Sequence, residues 1–150
     1  LVRTVDTVAV DTWWVSAPYG DLPPTPTLVT ALRRLADGDR GALDRLARRD
    51  AAYRPARGVA AQPRAVLVPG ASEHATVVEV RAADRPGLLH ALGRALADAG
   101  IDVRSAHVAT HAGQAVDTLY LAEPDGTLLE PHRVAEAVST LVDAGEVPAR

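Results

Sequence analysis

Residues 82–92 read AADRPGLLHAL and stand between a β-branched run and an apolar stripe at helical spacing. Asp84, Arg85, Pro86 and Gly87 carry the chemistry of this corner. Pro is tolerated in the first turn of a helix, where its missing N–H has no partner to lose, and Gly lets another atom come close to the backbone. Free N–H groups at a helix start, together with the positive end of the helix dipole, attract carboxylates. Asp84 can accept from an ammonium group or cap the helix. Such a corner can hold both ends of an amino-acid zwitterion. It serves equally as a capped tight turn with no ligand, and residue chemistry alone leaves both readings open. Arg85 reads as a neighbour of the ligand or as a solvent-facing cation.

The other polar residues point to less. His107 and His111 lie four apart on a strand, on one side but about 13 Å apart, too far for one ion to bridge unaided. His74, His90 and His132 add no ligand spacing, so no metal site is expected. Asp11 and Asp117 recur at matching strand positions. That admits a paired-carboxylate acid/base site, but a shared structural role, bonding to a turn or facing solvent, is the favoured reading. Trp13 and Trp14 are adjacent, so on a strand one faces the core and the other serves an interface.

Composition narrows the class. With 47% hydrophobic residues in 150, there is material for a core. No apolar run reaches the roughly 18 residues a membrane span needs. Sixteen basic and 19 acidic residues, net −3, are distributed along the chain with no basic patch for a phosphate backbone, so neither nucleic acid nor membrane is expected as a partner. The absence of Cys excludes a thiolate site and is in keeping with a reducing cytoplasm. All the basic residues are Arg, Lys, Asn, Phe and Met are absent, and Ile occurs only at 101, a bias expected of a GC-rich bacterial genome. A chain with no Met is expected to be a piece of a longer protein.

An internal repeat organises the elements that position the corner. AVDTWWVSAPYGDL (9–22) and AVDTLYLAEPDGTL (115–128) superpose at a constant offset of 106, and the match continues into the next helix through Ala31, Leu35 and Asp37 against Ala137, Leu141 and Asp143. In the second copy, 75–82 predicts a strand. Leu88, Leu89, Leu92, Leu96 and Ala99 form one helical stripe closed by Gly100. Residues 101–110 and 114–122 predict a hairpin around His111–Gly113, and Pro131 opens a helix carrying Val134, Val138, Leu141 and Val142. The order is β-α-β-β-α, one strand short of the split βαβ unit. The first copy retains its hairpin and helix, with 64–70 as its expected closing strand. The expected organisation is 1–37 plus 64–70 as a first unit, 38–63 as a helical insertion and linker with a helix over about 40–52, and 71–150 as a second unit whose last strand falls outside the chain.

The corner and the element order resemble the ACT domain, a βαββαβ amino-acid-sensing module with an Asp/Asn-Arg-Pro-Gly-Leu corner after its first strand. The implied fold is α+β: ferredoxin-like ACT domains in tandem, antiparallel sheets with helices on one face. The paired arrangement and the repeated AVDT strand resemble the C-terminal regulatory region of the PII-protein uridylyltransferase/uridylyl-removing family. That resemblance implies glutamine or another amino acid as ligand, control of nucleotidyl transfer to and removal from the PII signal protein, and Mg in catalytic domains outside this chain. In actinobacterial relatives adenylyl transfer is implied instead. A second ACT domain, in the same chain or in a homodimer, is the implied partner. The implied ligand residues are Asp84 for the ammonium and the backbone from Pro86 through Gly87 and Leu88 to Leu89 for the carboxylate, with Arg85 beside them and Ser105, Ala106 and His107 as the opposite wall. The first unit lacks such a corner. The alternatives are a ligand-free ACT dimerisation module and the ACT domain of another amino-acid metabolic enzyme; no catalytic site is expected in the chain itself.

Overall fold

A computed structural model describes residues 2–5, 8–11, 20–53 and 62–146. Ten elements follow in order: β1 (Val2–Val5), β2 (Val8–Asp11), α1 (Thr25–Ala36), α2 (Gly41–Ala52), β3 (Arg64–Leu67), β4 (Thr76–Ala83), α3 (Leu88–Asp98), β5 (Asp102–His111), β6 (Gln114–Ala122) and α4 (Pro131–Gly145). β3 to β6 form one antiparallel sheet in the order β3-β4-β6-β5. This is the expected α+β architecture. The segment foreseen as the closing strand of the first unit, 64–70, instead supplies β3, which pairs with β4 through Leu67↔Val78 and Ala65↔Val80. The link between them is short, so the hairpin is the cheapest partner within reach.

Period-two alternation decides which side chains meet the helices. Val78 and Val80 of β4 and Leu119 and Leu121 of β6 face Leu92 and Leu96 of α3 and Leu141 of α4, all close to fully buried. Val134, Val138 and Val142 flank that core. Both helix C-termini are closed by arginines from elsewhere. Arg133 donates to the carbonyls of Ala99 (3.0 Å) and Gly100 (3.2 Å) behind α3, and Arg85 does the same for α4. Each cation sits where the dipole is negative and carbonyls lack intrahelical partners.

A bulge between Val103 and Ser105 interrupts the β5 ladder. The extra residue, Arg104, shifts the alternation by one, so Val103 and Ala106 both turn to the core although three apart. β5 and β6 join through Ala112 (φ 50°) and Gly113 (φ 80°), two consecutive left-handed residues that match the twist of a tight hairpin.

The repeat has a structural counterpart in its described parts. β1 and β2 pair as Val2↔Asp11, Arg3↔Val10, Thr4↔Ala9 and Val5↔Val8. Adding 106 to each number reproduces the ladder Val108↔Asp117, Ala109↔Val116, Thr110↔Ala115 and His111↔Gln114 of β5 and β6. α1 likewise superposes on the first twelve residues of α4. The β1–β2 hairpin is a separate sheet, with β1 against β5. Trp13 and Trp14 lie outside the described residues. The helix expected over about 40–52 is α2.

Candidate ligand site

The corner leaves β4 at Ala83, and the N–H of Asp84 donates to the carbonyl of Gly113 (2.9 Å), tying it to the β5–β6 turn. Pro86 and Gly87 lie ahead of the helix rather than in its first turn, because Gly87 takes φ 87° as the N-cap of α3. A left-handed N-cap turns the chain sharply, so the N–H groups of Leu89 and His90 open the helix without intrahelical acceptors. Gly87 is also closely approached. A Cβ built there would lie 3.4 Å from the Leu46 side chain, so α2 packs over the corner.

Beneath α2 lies a cavity of about 260 Å³. Leu46 roofs it, Asp84, Gly87, Leu88, Leu89 and His90 form one wall, and Val108, Thr110, Ala115 and Asp117 form the floor and far wall. Asp84 is exposed at its margin and accepts from the Thr110 hydroxyl at 3.2 Å. Arg85 borders the cavity, but its guanidinium is turned away. It donates to Asp50 of α2 (2.6 Å) and to the carbonyls of Ala144 (3.0 Å) and Glu146 (3.2 Å). Its side chain is 3% exposed, so it joins three segments as a structural cation and not as one facing solvent.

Asp117 is the residue that sequence reasoning misjudged. It faces neither solvent nor a turn but the helix-covered side of the sheet, between Val80 on β4 and Val108 on β5, and is 1% exposed. Its Oδ1 is buried without a hydrogen-bond partner among the described residues. Burial pushes its carboxyl up to about 6, against the lowering effect of the Ala109 N–H and with a further rise from the Asp84 charge. The signal was present in the sequence: Ala115, Asp117, Leu119 and Leu121 share one strand face, and a lone carboxylate on an apolar face asks for a partner.

The sign of the linkage follows. The native state holds the Asp117 proton more tightly than the unfolded chain does, so the ionised form destabilises the fold, and stability falls as pH rises from about 4 through about 6. Asp117→Asn is expected to remove a decline of about 2 kcal/mol over that range, read from urea unfolding at pH 4 and pH 7. Equal slopes in the two proteins would exclude Asp117 as its source.

The other foreseen wall residues sit elsewhere. Ser105 and His107 lie on the opposite face of β5, where His107 meets Tyr120 edge to face at 5.8 Å, and Ala106 is packed in the core. The bulge is the cause. Beyond Arg104, the residues that look toward α3 are Ala106, Val108 and Thr110, and the last two line the cavity. Among the described residues no three His, Asp or Glu side chains gather as a metal site. No helix among them is long and apolar enough to cross a membrane.

A four-stranded antiparallel sheet with two helices on one face, and an Asp-Arg-Pro-Gly corner opening the first of them, is the architecture of the ACT domain. Residues 76–138 match that family, and this part of the chain belongs to it. The chain is also similar over most of its length to proteins named bifunctional uridylyltransferase/uridylyl-removing enzyme. The one from Streptomyces coelicolor is 47% identical over 133 residues, 88% of this chain and 16% of that protein. Those from Gluconobacter oxydans and Caulobacter vibrioides are 35% and 39% identical over 91% and 79% of this chain. The chain thus spans about a sixth of the length of the relatives it matches.

Proposed function

We propose that this chain is an amino-acid-sensing regulatory region, with glutamine as its ligand, that controls nucleotidylylation and denucleotidylylation of the PII signal protein by catalytic domains outside the chain. The observation that carries the reading is the cavity at the Asp84 corner. It offers carboxylates to an ammonium group and the start of α3 to a carboxylate. The names of the relatives supply the uridylyl-transferring and uridylyl-removing activities, and the ACT match supplies the regulatory role. Regulation requires only that the ligand bind two states of the parent protein unequally. The β1–β2 ladder, which repeats the β5–β6 register, supports a second ACT unit in the same chain as the partner surface.

Calorimetric titration with glutamine tests this. A saturable heat is expected, with Asp84→Ala weakening the affinity on the order of tenfold through loss of a charge-assisted hydrogen bond. No saturable heat with any of the twenty amino acids would leave the chain as a ligand-free association module.

A further inference from the structure

We infer that Asp117 is the buried anchor of the ligand's ammonium group, with Asp84 as a second acceptor nearer the surface. The inference deepens the amino-acid-binding reading and names the residue that selects for a cationic nitrogen. Three observations converge on it. Asp117 borders the cavity from the sheet side, on the opposite wall from the start of α3. Its Oδ1 is buried and lacks a partner among the described residues, a state that costs about 1–3 kcal/mol, and more for a charge, until a donor arrives. Asp84 is close enough to raise the Asp117 proton affinity, so the pair forms one negative locus.

Among the described residues that line the cavity, no cation is paired with that locus. Arg85 is the cation of the corner; its Nη1 and Nη2 are engaged by Asp50 and by the end of α4, and its Nε is buried without a partner among the described residues. α3 contributes His90; β4 and β5 offer Val80, Val108 and Thr110 beside Asp117, none of them charged. A primary ammonium satisfies the requirement, since it brings one positive charge and three N–H donors to two carboxylates. The opposite end of an α-amino acid then lies toward the N–H groups of Leu89 and His90, where the helix dipole favours a carboxylate.

The test uses the 150-residue chain, its Asp117→Asn variant and a His90→Gln variant, which removes the imidazole lining the cavity and is compared for its pH dependence alone, each titrated with glutamine and the other nineteen amino acids in turn. Asp117→Asn keeps the size of the side chain and removes its charge, and is expected to weaken the amino acid that binds at least 30-fold while leaving the fold intact by circular dichroism. In the wild type and in His90→Gln the association constant is expected to fall on the order of tenfold from pH 7 to pH 5, as the carboxyl takes up its proton, and in Asp117→Asn it is not. A second measurement stands apart from amino-acid binding: the Asp117 carboxyl carbon is followed by NMR across pH 4–8 in methylammonium chloride and in sodium chloride at equal ionic strength. A midpoint lowered by methylammonium supports the anchor even if no amino acid binds, in which case only the sensing reading falls. Binding to Asp117→Asn within threefold of wild type, with Asp84→Ala impaired, overturns the anchor and leaves the sensing reading standing; a bound water at Oδ1 would give that result. No amino-acid binding together with an unmoved midpoint overturns both.

Discussion

Replacing Arg85 with Ala is expected to lower the unfolding free energy by about 3–4 kcal/mol, read as a shift in the urea midpoint at unchanged slope. The guanidinium is buried and joins residues 35 and about 60 positions away in sequence. Removing it strands the carbonyls of Ala144 and Glu146 at the negative end of α4 and leaves the Asp50 carboxylate without its cation. Asp50→Asn leaves the buried guanidinium charged but keeps a side-chain oxygen that can accept from it beside the carbonyls of Ala144 and Glu146, so it is expected to cost only about 1–2 kcal/mol. The contrast separates the two roles of Arg85. Were Arg85→Ala to cost no more than Asp50→Asn, the cap on α4 would count for nothing and only the ion pair would remain.

The second large effect belongs to the core. Leu96 is fully buried among Leu92, Leu121 and Leu141, and Leu96→Ala is expected to cost about 3–4 kcal/mol, the lost transfer energy plus the cavity left behind. Leu46 is half-buried over the corner, and Leu46→Ala is expected to cost about 1 kcal/mol. Its larger consequence is at the cavity, which it opens to water. A loss for Leu46→Ala as large as that for Leu96→Ala would make α2 part of the folding core.

Much of this was legible in the sequence because it rests on local rules. The β-branched run of β4, the leucine stripe of α3 with Gly100 behind it, the hairpin over His111–Gly113 and Pro131 at the start of α4 each declare themselves within a few residues. The corner was legible as the turn that opens α3, and a cavity lies beside it. What stayed hidden depends on contacts far apart in sequence. Nothing near Arg85 shows that its partners are Asp50 and the end of α4. The roof supplied by Leu46 crosses about 40 residues. Val108 and Thr110 were missed for a subtler reason: the wall of Ser105, Ala106 and His107 came from the resemblance, whereas the bulge at Arg104 fixes which β5 residues look toward α3. β3 was expected in another unit because the repeat suggested a long-range partner, whereas the short link to β4 favoured the adjacent one.

The two margins of the four-stranded sheet are unequal. β3 has four residues bracketed by Pro63 and Pro69, and Pro has no N–H to donate, so an incoming strand would find little to pair with. β5 runs for ten residues and already lies against β1. Lateral growth of this sheet is therefore directional: one border is blunted against strand addition, and any broader β-layer must extend outward from β5.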